Sequence, residues 1–379
     1  MKKYSIKLYS DAGVFKGVLG DTSDFRFIKT INGGLGQLTI NLPRKADDYG
    51  DIDYLDEIQV WVQDNDSAGV KMYSGFIDEI ETEINGNEER ATIRALGYVA
   101  QFGFSLDIDG TSISLARNSQ DPETAVKDVI TKYRALYSSP RINYVAGSTS
   151  TAGFNISYTS NSKLVIESIE RIREMAGSNW WWYVDASNTF YFKSKPSTPT
   201  HTFTFGKDIN NLRTVKKAGQ IINNLVFWNG LQADDTNYIS KLYYSGTSQA
   251  SYWKRYDRLT DGRIKDSSTA DKLGDALVES NKLPSVEISF TVKDNNLGDG
   301  YDIEDIEPGD TCKIINWKDS DLYSSNLLIT KVEYTPEYAV ISVEGSRDIT
   351  GRALSDIRRT LDTTIYEDGA STLTSSDID

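Results

Sequence analysis

The stretch 72-MYSGFIDEIETEINGNEERATIRA-95 decides how the chain reads as a fold. Through Met72 to Ile84 polar and apolar residues alternate, with Glu79, Glu81 and Glu83 set against Ile80, Thr82 and Ile84. Asn85-Gly86-Asn87 then breaks the run, and Ala91, Ile93 and Ala95 resume at period two. Asn-Gly between two alternating runs predicts a β-hairpin, because its tight turn needs residues that accept positive φ. The same period continues outward. Tyr4, Ile6 and Leu8 alternate with Ser5 and Lys7, and Asp11-Ala12-Gly13 turns the chain into Val14 to Leu19. Leu38, Ile40 and Leu42 form a half-buried pattern ended by Pro43, and Ile58, Val60 and Val62 repeat it. Short strands, regular turns and no helical period over the first hundred residues predict a barrel or sandwich.

Composition shifts after Phe104. Asp121-Pro122-Glu123-Thr124 is a helix start, with an acid at the N-cap and proline at the first helical position. Val126, Val129, Ile130, Tyr133, Leu136 and Tyr137 follow at helical spacing. A second helix is predicted from near Ser162 through Val165, Ile169, Ile172 and Met175 to a stop at Gly177. Trp180 to Val184 and Thr189 to Lys193 read as a hairpin, completing a small α+β unit. Lys195-Pro196-Ser197-Thr198-Pro199-Thr200 reads as a linker. Beyond it strands return at Thr202 to Phe205, Ile221 to Trp228, Val286 to Val292, Thr311 to Trp317, Leu327 to Glu333 and Tyr338 to Glu344. Asn229 to Gly262 reads as an irregular excursion and Ser268 to Asn281 as a helix. At the end, Ala353, Leu354, Ile357 and Leu361 mark a short amphipathic helix before a polar tail, Gly369 to Asp379.

Composition narrows function. The 379 residues carry 41 Lys+Arg against 55 Asp+Glu, a net charge of −14, which argues against a protein whose task is gripping nucleic acid. One cysteine, Cys312, excludes an intrachain disulfide and a cysteine-rich zinc site; one histidine, His201, excludes the usual multi-histidine metal sites. The start Met1-Lys2-Lys3-Tyr4 lacks the apolar run of a signal peptide, and no segment approaches the roughly 20 apolar residues that span a bilayer. The expectation is a soluble chain built in a reducing cytosol, with no membrane insertion.

Candidate chemistry is sparse. His201 would have to serve any Ser-His or Cys-His catalysis, but it sits beside the linker at a strand start and reads as a hydrogen-bonded or solvated histidine. Asn32-Gly33-Gly34-Leu35-Gly36 enters a strand, not a helix, so it reads as a turn, not a phosphate cradle. The loops Asp64-Asn65-Asp66-Ser67-Ala68-Gly69 and Asp294 to Gly300 lack calcium-loop spacing. Trp180 and Trp182 face one way on a strand and Trp181 and Tyr183 the other, so packing is favoured over a sugar platform. For Glu79, Glu81 and Glu83 two readings stand: a solvated sheet face, or a channel wall that keeps a polyanion from sticking. No catalytic, cofactor or metal residues are assigned.

The order of parts resembles the tail-hub (baseplate hub) proteins of tailed bacteriophages. Four segments carry the likeness: Phe25 to Pro43 (FRFIKTINGGLGQLTINLP); Tyr54 to Phe102, with Leu55-Asp56-Glu57-Ile58-Gln59-Val60-Trp61, Tyr73-Ser74-Gly75-Phe76-Ile77-Asp78 and Ala95-Leu96-Gly97-Tyr98; Ser162 to Lys193; and Pro308-Gly309-Asp310 with Leu327 to Glu344. The resemblance implies a mainly β fold with an α+β insertion. Residues 1–105 and 201–350 would be tail-tube-like β-barrel modules, 106–200 a small α+β domain, 230–285 an insertion and 351–379 a terminal helix and tail. It implies a non-enzymatic virion structural protein at the distal end of a phage tail, assembled in the host cytoplasm. Its copies would form a homotrimeric, pseudo-sixfold ring that closes the tail tube and lines the DNA exit channel. Implied partners are the tail tube or distal tail protein, the tape-measure protein and a spike, fibre or receptor-binding protein, with DNA only in transit. Many relatives from phages of Gram-positive hosts continue into a fibre or a lytic domain; here the sequence stops after a short tail, so any enzymatic or host-binding work is expected to lie in another chain. The alternative is a carbohydrate-active or sugar-binding β-rich protein acting on bacterial polysaccharide, which would need a pair of working acids.

Overall fold

Alternation sets the strands largely where the sequence places them. In the computed structural model of the chain the described residues are 2–19, 24–43, 52–64, 69–85, 88–177, 179–219, 221–231, 233, 235–262, 264, 266–294, 301–315 and 326–344. The segment carrying Ala353 to Leu361, the tail from Gly369 and the middles of both acidic loops lie outside them. The first hundred residues give β1 (Lys2–Tyr9), β2 (Phe15–Leu19), β3 (Phe25–Thr30), β4 (Gly34–Pro43), β5 (Glu57–Asp64), β6 (Val70–Asn85) and β7 (Glu88–Gly97). Next come β8 (Ala116–Gln120), α1 (Pro122–Ala135), β9 (Ile156–Thr159), α2 (Val165–Ala176), β10 (Trp180–Val184) and β11 (Phe190–Ser194). Then follow β12 (His201–Thr204), β13 (Ile209–Lys217), β14 (Asn224–Trp228), β15 (Ser240–Tyr244), α3 (Gly246–Tyr252), β16 (Tyr256–Thr260) and α4 (Ser267–Asn281). The chain closes with β17 (Ser285–Lys293), β18 (Thr311–Ile315), β19 (Leu327–Tyr334) and β20 (Tyr338–Val343).

Strands from both ends of the sequence form one 13-stranded sheet, in the order β13-β17-β20-β19-β3-β4-β7-β6-β5-β1-β2, with β12 joined through β18 to β19. The join between halves is the antiparallel β3–β19 ladder, where Thr30 faces Lys331 and Phe27 faces Tyr334. The Phe27 and Tyr334 rings stack at 4.8 Å across it. Ile6, Leu38, Ile40, Val60 and Ile93 from the first half share one core with Phe203, Phe290, Val332 and Ile341 from the second. Burying a side chain of this size stabilises by about 1.5–3 kcal/mol. Among the described residues the path is open and does not close into a barrel.

A second core is built from α1 (Val126, Val129, Ile130, Tyr133), α2 (Val165, Ile169, Ile172) and the β10–β11 hairpin (Trp182, Phe190, Phe192). Leu225, Phe227, Tyr243, Ile264 and Leu273, from far later in the sequence, complete it. The region expected to be irregular is therefore ordered: β15, α3 and β16 lie within it, and β14 pairs with β15 on one side and β16 on the other. Gly274 of α4 makes this packing possible, because a Cβ there would come within 2.3 Å of the Tyr243 ring. The alternation was masked because the outward positions are also apolar or aromatic: Leu242, Tyr244 and Tyr256 are all exposed.

Two helix starts test the end signals. Asp121 accepts a hydrogen bond from the Glu123 amide at 2.9 Å, and α1 begins at Pro122 as expected. α2 begins at Val165, three residues after the expected Ser162, because Asn161 and Ser162 sit at φ +43° and +58°. Glu167 then caps the Leu164 amide at 3.1 Å.

Trp180 to Tyr183 pack on both faces. Trp182 and Val184 enter the α+β core, while Trp181 and Tyr183 lie with Ile31 and Leu328 against the large sheet. The glycine-rich turn before β4 receives this hairpin. The Asn32 amide donates to the Trp182 carbonyl at 2.7 Å, and the Trp182 amide donates to Asn32 Oδ1 at 3.1 Å. Gly34, at φ +70°, lets Val184 backbone come within 3.1 Å of where a Cβ would be.

Candidate functional site: an acidic hairpin arm

β6 is buried on both faces through Met72 to Ile77 and ends as an exposed arm. A bulge between Ile77 and Glu79 then switches the parity of the strand, so that Ile80 faces Ile93 and the acids point out. Beyond Ile80 both faces are exposed, and Ile84 is 72% exposed.

The structure places Glu79, Glu81 and Glu83 on one face of this arm, as alternation predicts. Glu79 and Glu81 do not stand alone. Arg94 of β7 donates Nη1 to Glu79 at 2.5 Å and Nη2 to Glu81 at 2.8 Å, and Glu83 lies opposite Arg90 in the ladder. These pairs are exposed and each contributes at most about 1 kcal/mol. The arm still carries an acid excess: residues 78–94 hold six acids and two arginines.

His201 is 5% exposed and hydrogen-bonded at both nitrogens, Nδ1 with the Tyr301 hydroxyl at 2.7 Å and Nε2 with Asp310 at 3.1 Å. Cys312 lies opposite it in the parallel β12–β18 ladder. Burial pushes the Cys312 thiol up to about 12, the opposite of what an attacking thiolate requires. The two are thus placed in register, with the thiol held in its protonated, unreactive form.

Asp294, from one of the two acidic loops, converges with Asp302 and Glu304 as a group of carboxylates. An ammonium fills that space. Lys2 Nζ lies 2.6 Å from Asp294, 3.0 Å from Asp302 and 2.6 Å from Glu304. Burial alone would lower the Lys2 pKa, but hydrogen bonds to Asp294, Glu304 and Asp302 outweigh it and raise it. The cluster fastens β1 to the second half of the chain; the sequence drew attention to the loop at Asp294 but not to Lys2, Asp302 or Glu304. Sequence reasoning also missed a cleft of about 520 Å³ between α2 and α4, lined by Asn179, Trp180, Tyr244, Ser245, Asp275 and Glu279.

No family model and no curated protein sequence matches the chain. Solved structures do. A 43 kDa tail protein of prophage MuSo2 from Shewanella oneidensis superposes with a TM-score of 0.62 at 13% identity, covering 91% of this chain and 99% of that one. A tail protein from Neisseria meningitidis MC58 gives a TM-score of 0.64 at 11% identity, covering 90% and 96%. Prophage tail protein gp18 from Listeria monocytogenes EGD-e gives 0.59 at 11% identity, covering 94% and 99%. The fold is that of phage tail proteins, which bears out the resemblance drawn from the order of sequence segments. The agreement spans nearly the whole length of all three, so it includes the α+β lobe as well as the sheet.

Proposed function

We propose that the chain is a non-enzymatic structural component of a phage tail tip. Its copies join into a homotrimeric ring at the distal end of the tail tube. Residues 1–105 and 201–350 contribute tube-like wall modules, and the α+β lobe sits beside them. The open sheet is the observation that carries this reading. Its path ends on β2 and β13, and beside β2 Val14, Phe15 and Val18 are 66%, 54% and 46% exposed. A sheet end of this kind is a template for pairing with a neighbouring copy, and a head-to-tail contact repeated under rotation closes a ring. In such a ring Glu79, Glu81 and Glu83 face the passage, where their charge keeps DNA in transit from adhering. The tail tube or distal tail protein, the tape-measure protein and a spike, fibre or receptor-binding protein are the expected partners.

Light scattering after size exclusion, with negative-stain imaging of the full chain, tests this. A ring with a central hole is the expected result. A strict monomer, alone and with tail-tube partners, overturns it.

The cleft between α2 and α4 favours a second reading, a sugar-binding or carbohydrate-active role. Trp180 and Tyr244 line it, and Asp275 and Glu279 stand one helical turn apart on α4. Polysaccharide turnover that Asp275→Asn or Glu279→Gln abolishes would favour it over the structural role; absence of turnover on host-wall preparations retires it.

A further inference from the structure

The last described strand delivers the chain to the mouth of the cleft between α2 and α4. Glu344, one residue past β20, pairs with Lys195 Nζ at 2.8 Å, and the Lys195 amide donates to the Asn179 carbonyl at 2.8 Å. Asn179 lines the cleft. Ser194 stands opposite Trp180 in the β10–β11 ladder, so Lys195 points to the other side of that hairpin. A chain leaving Glu344 therefore reaches the cleft by rounding the hairpin's open end. Ala176, Trp180, Tyr244 and Val278 give the cleft an apolar and aromatic lining, and Asp275 and Glu279 of α4 are its charged residues. Glu279 already holds Lys282 at 2.5 Å, whereas Asp275 is exposed and has no ion pair among the described residues. α2 ends at Ala176, so the negative end of its dipole adds to these acids. Apolar walls around an unmatched negative charge suit an amphipathic segment that carries a cation beside its apolar stripe.

We infer that the cleft receives residues 352–361 of the same chain. Thirty-five residues follow Glu344 in the sequence. Among them Leu354, Ile357, Arg358 and Leu361 stand at i, i+3, i+4 and i+7, the spacing that sets side chains on one side of a helix. Three apolar side chains and one guanidinium thus arrive together, the apolar ones for the lining and Arg358 for Asp275. The ten steps from Glu344 to Leu354 reach about 33 Å when extended. That exceeds the thickness of a two-stranded hairpin, since even packed sheets lie only about 10 Å apart. A ten-residue helix, about 10–12 Å across and about 15 Å long, is too bulky for a cleft of about 520 Å³. The segment therefore lies across the mouth with its apolar side inward. Docked in this way, it straps the sheet, at the end of β20, to the α+β lobe. The inference stands whether or not copies form a ring, and it sets an occupant from the chain itself against the sugar of the second reading.

The test uses the full chain. Ile357→Cys with Ala276→Cys forms an internal disulfide on mild oxidation, seen as a faster-migrating monomer on a non-reducing gel. Cys312 is buried and stays out of the reaction. In hydrogen exchange, Asp275→Lys speeds the amides of residues 353–361 about tenfold or more, the effect of placing like charges together at an interface. Arg358→Glu does the same. Both changes in one chain restore slow exchange, since the charges are exchanged and not removed. Unchanged thermal unfolding verifies that each variant folds. A wild-type chain whose residues 353–361 exchange as fast as a free peptide, with no internal disulfide in the cysteine pair, overturns the inference. Disulfide-linked dimers in place of the internal bond assign the segment to the cleft of a neighbouring copy and overturn it too. Host-wall polysaccharide that the wild type retains and Asp275→Asn loses, with residues 353–361 unprotected, gives the cleft to a sugar and overturns it as well.

Discussion

The two lobes bury cations in different ways. In the sheet lobe the buried cations are lysines: Lys2 among Asp294, Asp302 and Glu304, and Lys29, 0% exposed, against Glu307 at 2.5 Å. In the α+β lobe they are arginines. Arg117 grips Asp107 with two bonds of 2.7 and 2.8 Å, and Arg171, 1% exposed, donates to Asp261 at 2.8 Å and Glu174 at 2.9 Å. A lysine is a point charge on a flexible stem, able to reach from a strand to a loop; beside Lys29 water still touches the Glu307 anion, whereas beside Lys2 the Asp294 carboxylate is buried. A planar guanidinium can satisfy two carboxylates in a dry interior with fixed geometry. Lys2, Lys29 and Arg171 each tie together segments distant in sequence. Lys2 and Lys29 bind the first half of the chain to residues 294–307, and Arg171 binds α2 to the segment that completes its core.

That contrast predicts unequal costs for removing the cation. Arg171→Ala leaves Asp261, itself 2% exposed at the side chain, as a buried charge without its guanidinium, and destabilises by about 3–5 kcal/mol. Denaturant midpoints measure it, and a loss below about 1 kcal/mol would break the comparison. Lys29→Met costs less, about 1.5–3 kcal/mol, although Lys29 is just as buried. Glu307 is 38% exposed at the side chain, so water replaces the lost ammonium while the Tyr183 hydroxyl keeps its 2.7 Å bond. If Lys29→Met proved the more damaging of the two, burial of the cation would matter more than burial of the anion.

The smallest effect sharpens the comparison at the surface of the α+β lobe. Hydrogen bonds from Lys127, Thr149 and Thr151 hold the Glu123 carboxyl down to about 2. A group depressed on folding contributes stability that is complete above its ordinary value of 4.5 and is lost as pH falls toward 2. The stability gap between wild type and Glu123→Gln is therefore constant from neutral pH to about pH 5 and shrinks below 4.5. A gap unchanged down to pH 2.5 would remove Glu123 from the account.

The same division marks how far the sequence could be read. Leu38, Ile40 and Leu42 alternate cleanly, and Asp121-Pro122 marks a helix start, because local chemistry determines both. β13 escaped reading because a register shift between Ile209 and Leu212 breaks its period and its later half is rich in Arg and Lys. The acids of the arm were legible as a stripe, but Arg94, which bridges Glu79 and Glu81, comes from the neighbouring strand, and cross-strand pairing is not written in either segment alone. Lys2 and Arg171 look like any surface charge in a linear sequence. Only the meeting of distant segments buries them.

The β3–β19 ladder has a consequence for biosynthesis. Thr30 waits for Lys331, so some three hundred residues must leave the ribosome before β3 acquires its second neighbour. At translation speeds of 5–20 residues per second that delay is about 15–60 s. Throughout it the nascent amino-terminal half exposes an aromatic strand, Phe25-Arg26-Phe27, to every other growing copy on the same message. Productive yield then depends on translation pace and on holdase chaperones, and slowing the ribosome over residues 100–330 would favour aggregates over soluble product.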